Sequence, residues 1–207
     1  YTYEGGCYMP GGASIAKNMA DQLLGKASRP GTYDQVIDLI RLRAKIDDTR
    51  LNPSGESLIN VKNGMLAWAT GKLGPHDPAH LSTFQVQAEH QPGATSGLLD
   101  KFLASIFPPD ALGLAEEIVG HLLIPTTKYQ KAFMLVGEGS NGKGTFLKMI
   151  TALLGEDSVS HQNLYSLEDS TFATSGLYGK MANINFDLPS KQLESSSVFK
   201  SLVAGDR

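Results

Sequence analysis

The sequence predicts two parts: a small, mostly helical α+β domain over residues 1–96, followed by an incomplete α/β domain over residues 97–207. Three observations predict the second part. A five-residue apolar run, Ala132–Val136, directly precedes a glycine-rich loop, as a buried parallel strand does. A helical pattern follows from Lys143 to Leu154, and a second strand pattern comes at Met181–Asp187. This order, strand, loop, helix and strand, predicts a β-loop-α…β unit.

The first part begins with a strand pattern and two helical patterns. Tyr1–Pro10 alternates aromatic and small residues and ends in Pro-Gly-Gly, which predicts a strand that runs into a turn. A short helix is predicted near Ser14–Leu24. A second helix is predicted to start with a capping box, Thr32–Gln35, and to continue to about Lys45, because apolar residues follow at helical spacing.

Turn and capping signals organise the middle of the chain. Asn63-Gly64 predicts a hairpin turn between two short strands within Leu58–Trp68. From Ser96, apolar residues at helical spacing predict a helix that Pro108-Pro109 ends. Asp110 is expected to cap the next helix.

Composition excludes several classes of protein. Hydrophobic residues at 41% and charged residues at 19% are typical of a globular chain. A net charge of −3 is not that of a broadly basic DNA-coating protein, so any nucleic-acid contact is expected to be local. The apolar runs are far shorter than the roughly 20 residues that span a bilayer, so we expect a soluble protein without membrane contact. The single cysteine fits a reducing, cytoplasmic compartment.

The glycine-rich loop has the spacing of a phosphate-binding loop. Gly137–Lys143 satisfies G-x-x-x-x-G-K between a predicted strand and a predicted helix. Glycines allow the backbone N–H groups to converge on a phosphate, and the start of the helix adds partial positive charge. The nucleotide-binding residues are therefore predicted to be Gly137, Glu138, Gly139, Ser140, Asn141, Gly142, Lys143, Gly144 and Thr145.

The residue after the lysine departs from the usual pattern. That position normally holds a Ser or Thr that ligates magnesium, but here it is Gly144, which has no ligating side chain. The next residue, Thr145, is the candidate metal ligand from the loop. A water molecule in place of a hydroxyl is the alternative.

A triphosphate site also needs a carboxylate at the end of a neighbouring strand. Met181–Asp187 supplies one in Asp187, which lies 44 positions after Lys143. Asp187 is thus predicted to contribute to catalysis and to metal binding. An ordinary surface strand ending in a turn aspartate fits the pattern about equally well.

Three segments together resemble the Walker A, Walker B and following motif of superfamily 3 helicases: Gly137–Lys143, Gly179–Asp187 and Phe199–Asp206. Looser upstream segments resemble the linker domain of phage, plasmid and poxvirus-type primase-helicases: Tyr3–Pro10, Ile59–Leu66 and Gly71–Pro78. The family more often has Glu where this chain has Asp187.

The resemblance implies an AAA+-like P-loop NTPase fold, ATP and Mg²⁺ as cofactors, a homo-hexamer, and DNA unwinding during replication. It implies that Lys143 and Asp187 carry the catalysis and that Lys200 belongs to a motif leading toward a DNA contact. It also implies that the chain is a truncated carboxy-terminal part of a primase-helicase. The γ-phosphate sensor and the arginine finger would follow Arg207, so the chain alone is expected to turn over ATP poorly.

Two alternatives stay open. Lys143-Gly144-Thr145 also occurs in adenylate-kinase-like phosphotransferases, although no second arginine-rich acceptor site follows. A non-enzymatic nucleotide-binding or docking module is the other alternative, in which the loop is vestigial.

Other reactive or aromatic residues favour plain structural roles. A metal site is not favoured for three histidines, which lack a fourth ligand at a convincing spacing: His76, His80 and His90. Trp68 and Tyr129 are interpreted as core residues rather than base-stacking residues, and Cys7 as a small buried hydrophobe rather than a nucleophile.

Overall fold

The computed structural model describes residues 1–27, 29, 31–53, 57–169, 172–187 and 196–205. The helices in these ranges are α1 Gly12–Leu24, α2 Thr32–Arg43, α3 Gly97–Ile106, α4 Leu112–Leu122, α5 Lys143–Leu154, α6 Leu164–Asp169 and α7 Ser197–Ala204. The strands are β1 Thr2–Glu4, β2 Cys7–Met9, β3 Leu58–Val61, β4 Gly64–Ala67, β5 Lys72–Gly74, β6 Val159–Ser160 and β7 Ala182–Asn183. Among the described residues, no helix is both long enough and apolar enough to cross a membrane.

The amino-terminal segment folds back on itself within its first ten residues. Strands β1 and β2 pair antiparallel, with Tyr3 opposite Tyr8. The turn lies at Gly5 and Gly6, whose φ angles of 58° and 88° suit a tight hairpin turn. The single strand predicted over Tyr1–Pro10 is wrong: the segment forms two three-residue strands, because two glycines with positive φ reverse the chain before the Pro-Gly-Gly signal.

The sequence predicted helices α1 and α2, and in the structure they contact each other. The capping box at the start of α2 is wrong: Gly31 is the N-cap at φ 83°, and no side chain caps the helix. The Thr32 hydroxyl instead accepts a hydrogen bond from the Arg29 N–H at 3.2 Å. Helix α2 ends at Arg43, two residues before the predicted end.

The hairpin predicted within Leu58–Trp68 is confirmed, and a third strand joins it. Its turn is Lys62-Asn63, one position before the predicted Asn63-Gly64, because Gly64 already pairs with Val61. The sheet has the order β3-β4-β5, with antiparallel pairs throughout. A Cβ on Gly64 would collide with the main-chain oxygen of Gly74, so β5 can approach β4 only because glycine stands there. Apolar side chains of this sheet pack with Val86 and with residues from the second half of the chain: Leu123, Ile124 and Leu153.

The largest core surrounds α5. Phe146, Ile150 and Leu154 are at most 2% exposed. Residues from α4, β6 and the end of β7 complete this cluster: Ala115, Val159 and Ile184.

The structure caps α3 at Ser96, whereas the cap predicted for the next helix at Asp110 is wrong. Ser96 caps α3, since its hydroxyl accepts from the Leu99 N–H at 3.3 Å. Asp110 does not cap α4. The N-cap there is Ala111, without a side-chain hydrogen bond, because a short 3-10 turn at Pro109–Ala111 already leads into the helix.

Of the two strands predicted to flank α5, the first is absent and the second is shorter than expected. Ala132–Val136 is not a strand; Met134 and Val136 are 70% and 84% exposed, and of this run Leu135 packs against the α5 core. An extended run becomes a strand only when another strand shares its hydrogen bonds, and no described residue pairs with this run. Met181–Asp187 contributes two strand residues, which pair parallel with β6.

Candidate phosphate-binding site

Helix α5 begins at the last residue of the glycine-rich loop pattern. The helix predicted over Lys143–Leu154 is confirmed at both ends. Its N-cap, Gly142, has φ 84° and ψ −5°, a left-handed conformation that favours glycine. A Cβ on Gly142 would collide with Ile106 of α3. Both the backbone angle and the close neighbour therefore require glycine at this turn.

The Lys143 ammonium is held by oxygens of its own loop. It donates to the carbonyl oxygens of Gly137 at 2.9 Å and Glu138 at 3.1 Å, and to Asn141 Oδ1 at 2.7 Å. A lysine ammonium has three donors, so these three oxygens use all of them. The other loop residues before α5 are largely exposed, and Lys143 is half-buried. The loop thus holds one fixed positive charge at an open surface, as a phosphate group requires.

The first turn of α5 adds to this electropositive surface. The helix is described along its whole length, and it has no acidic residue in its first turn and no side-chain cap. Its first N–H groups therefore present partial positive charge. Thr145 lies in this turn and is exposed, so its hydroxyl is open to a metal ion. A Cβ on Gly144 would meet no atom within 4 Å.

Asp187 lies in the segment that follows β7. Strand β6 follows α5 after a short connection and contributes Val159 to the core around the helix. Strand β7 runs parallel to β6, and the segment after it leads to Asp187. The Asp187 carboxylate is exposed, and its N–H donates to Asn185 Oδ1 at 3.1 Å.

Lys200 lies on helix α7, whereas the other predicted site residues lie in the loop, in the first turn of α5 or after β7. It is an exposed residue of α7. Helix α7 is tied to α6 through the Phe199 N–H, which donates to Glu168 Oε1 at 3.2 Å. The last residues of the third motif, Asp206 and Arg207, lie outside the described residues.

The structure places the remaining residues singled out by sequence as follows. His76 Nε2 lies 2.9 Å from the Val61 carbonyl oxygen. Within the described ranges, no three His, Cys, Asp or Glu side chains are grouped to hold a metal ion. Cys7 is buried as predicted, its thiol lies 3.5 Å from the Ser82 carbonyl oxygen, and burial raises the pKa of the thiol. The core interpretation of Trp68 and Tyr129 is wrong, since they are 45% and 52% exposed.

The sequence did not predict one residue that contacts the segment before Asp187. His161 follows β6 directly, and its Nδ1 lies 2.7 Å from the Ile184 carbonyl oxygen. A two-residue strand carries almost no periodicity, so β6 was invisible in the pattern. The available signal was a histidine two positions after Val159, the first apolar residue beyond α5.

Two family comparisons cover different parts of the chain. Residues 12–108 match the family described as D5 N terminal like, and residues 135–207 match a family of unknown function (DUF5906). The D5 N-terminal domain is the amino-terminal domain of phage and plasmid primase-helicase family proteins. The expectation of a carboxy-terminal part is therefore wrong. No curated protein matches the chain. The loop and Asp187 both lie within the second match.

Proposed function

We propose that this chain binds ATP with Mg²⁺ at the loop 137–145 and serves as the ATPase part of a DNA helicase of the phage or plasmid primase-helicase type. The observation that carries the proposal is the loop-bound ammonium of Lys143 at the start of α5. An α/β P-loop NTPase fold of the AAA+-like class is part of the proposal, with the β6–β7 pair as the nucleus of its parallel sheet.

Each loop residue has a distinct part in this proposal. The ammonium of Lys143 exchanges its bonds to Gly137, Glu138 and Asn141 for bonds to the β- and γ-phosphates. The N–H groups at the start of α5 bind the phosphate oxygens, because helix N-termini attract anions. Thr145 and Asp187 are the protein ligands for Mg²⁺, which neutralises charge on the phosphates when bound. Asp187 also accepts a hydrogen bond from the attacking water.

The replication role rests on the first half of the chain. The match of residues 12–108 to a primase-helicase domain supports DNA as the partner. A homo-hexamer is part of the proposal through the resemblance to superfamily 3 helicases. Lys200 is a candidate DNA contact, since it is an exposed cation on α7. An adenylate-kinase-like phosphotransferase has the support of Lys143-Gly144-Thr145 alone.

Two lysines of α5 provide the test of nucleotide binding. Lys143→Ala is expected to lower ATP affinity by about tenfold or more, since a hydrogen bond to a charged group contributes about 1.5–3 kcal/mol. Lys148→Ala is the matched control, because Lys148 is an exposed residue of the same helix outside the loop. Calorimetric titration with ATP and Mg²⁺ measures both. Equal affinity in the two variants would overturn the assignment.

An ATP hydrolysis assay distinguishes the helicase from the two alternative functions. We expect only slow phosphate release from this chain, which single-stranded DNA stimulates and Lys143→Ala abolishes. Transfer of the γ-phosphate to a nucleoside monophosphate would favour the phosphotransferase. ATP binding without either reaction would favour a non-enzymatic nucleotide-binding module.

A further inference from the structure

Side chains tie the segment after β6 to the segment after β7. The main chains pair through the Met181 N–H, which donates to the Ser158 carbonyl at 2.7 Å, and the Ile184 N–H, which donates to the Ser160 carbonyl at 2.8 Å. Beyond this pair, Asn183 bonds the main chain of Gln162 in both directions, at 2.8 and 2.9 Å. The connection between the two strands thus continues past the two strand residues of each.

His161 is the next contact along this connection. Its Nδ1 lies 2.7 Å from the carbonyl oxygen of Ile184, and its ring lies 5.7 Å from that of Phe186 between centroids. A carbonyl oxygen only accepts, so Nδ1 carries the proton and donates. The other nitrogen, Nε2, lies 3.9 Å from Glu156 Oε2, which is too long for a hydrogen bond.

His161 contacts the residue before the turn Asn185–Asp187 and the middle residue of that turn. Asn185 lies between Ile184 and Phe186, and its Oδ1 accepts from the Asp187 N–H at 3.1 Å. Ile184 itself is buried in the α5 core. Asp187 is exposed, so its orientation depends on this turn rather than on packing around its own side chain.

We propose that His161 is a positioning residue for Asp187: its Nδ1–H holds the Ile184 carbonyl and its ring supports Phe186, so that the turn presents the carboxylate in one orientation. The metal-binding role of that carboxylate rests on the proposed function. The role of His161 in fixing the turn is inferred only from its contacts with Ile184 and Phe186.

Three variants test the metal-binding consequence. His161→Ala removes the donor, His161→Asn keeps an amide donor near the position of Nδ1, and Asp187→Asn removes the carboxylate charge. His90→Ala is the matched control, since the hydrogen bonds described for His90 use its main-chain atoms. ATP affinity is measured with Mg²⁺ and with EDTA. The ratio of the two affinities is the gain from Mg²⁺, and it reports the metal's contribution to ATP binding, because metal and nucleotide binding are linked.

We expect His161→Ala and Asp187→Asn to reduce the gain from Mg²⁺ by about 10- to 100-fold, the usual effect of removing a group that orients a metal ligand or the ligand itself. Affinity in EDTA should stay at the parent value, and His161→Asn should restore the gain. The inference is overturned if His161→Ala keeps the gain, if it lowers affinity equally with and without Mg²⁺, or if His161→Asn fails as His161→Ala does.

Backbone dynamics of the nucleotide-free chain provide a second readout that does not depend on ATP. NMR order parameters for Asn185 and Asp187 should fall from near 0.85, typical of rigid backbone, to below about 0.6 in His161→Ala. Amide exchange protection at Met181 and Ile184 should not change, because their bonds belong to the β6–β7 pair. Unchanged order parameters would overturn the inference. If ATP binding proves independent of Lys143, the proposed function fails, while this measurement still decides the role of His161.

Discussion

Helix α5 and the helix pair α1–α2 have similar apolar spacing but opposite burial. In α5, Phe146 and Ile150 are 1% and 2% exposed. In the helix pair, Leu23 and Leu42 are 84% and 78% exposed, and burial is limited to residues such as Ile37 at the contact between the two helices. Helix α5 has neighbours from helices and strands on its apolar side. Apolar periodicity therefore predicts a helix, whereas the elements around it decide how much of its apolar side is buried.

The difference in burial between α5 and the helix pair α1–α2 bears on the proposed binding loop. The buried end of α5 anchors the helix, and its first turn and the preceding loop remain open to solvent. A binding loop at the end of a well-packed helix is held in one geometry more firmly than a loop between mobile elements. The core around Phe146 is thus expected to support the phosphate loop as well as the fold.

Truncation of core and surface side chains tests the comparison most strongly. Phe146→Ala should lower the free energy of unfolding by about 3–5 kcal/mol, because it removes a buried ring and leaves a cavity beside Phe107, whose ring lies 5.0 Å away. Leu42→Ala, the control from α2, should change it by less than about 0.5 kcal/mol. Chemical denaturation measures both, and equal losses would show that the two regions are packed alike.

A branched residue at the N-cap of α5 tests the loop geometry. Gly142→Val should cost about 1–3 kcal/mol in stability, since a branched residue is strained at φ 84°, and it should weaken ATP binding by displacing the loop. Gly120→Ala is the control, because Gly120 lies in α4 outside the loop and a Cβ there meets open space. It should stabilise the chain by up to about 1 kcal/mol. Similar thermal unfolding and ATP affinity in the two variants would contradict the geometry.

The exposed ion pair between α1 and α2 should have the smallest effect. Lys17 Nζ lies 2.8 Å from Asp34 Oδ1, and this hydrogen bond and the lysine charge hold the pKa of Asp34 below its ordinary value. A lowered pKa stabilises the fold above the unfolded-state pKa, and this contribution is lost as pH falls through the folded-state pKa. Lys17→Ala should raise the pKa of Asp34 in an NMR titration and remove this acid dependence. Lys26→Ala, the control, should leave the pKa of Asp34 unchanged.

Local signals in the sequence determined several elements correctly. The ends of α5, the hairpin of β3 and β4 and the start of α3 after Ser96 all depend on bonds between residues close in the chain. The hydrogen bonds within the loop 137–143 are also local, since Lys143 bonds residues two to six positions away. Interactions of such short range leave their pattern in the sequence itself.

Tertiary structure decided what depends on distant partners. Whether Ala132–Val136 forms a strand depends on a neighbouring strand, and the exposure of Trp68 and Tyr129 depends on which surfaces cover them. The capping predictions at Thr32 and Asp110 failed because glycine geometry and a 3-10 turn started those helices instead. The contact between His161 and Ile184 joins residues 23 positions apart. No local pattern encodes such a contact, because chain folding alone brings the two segments together.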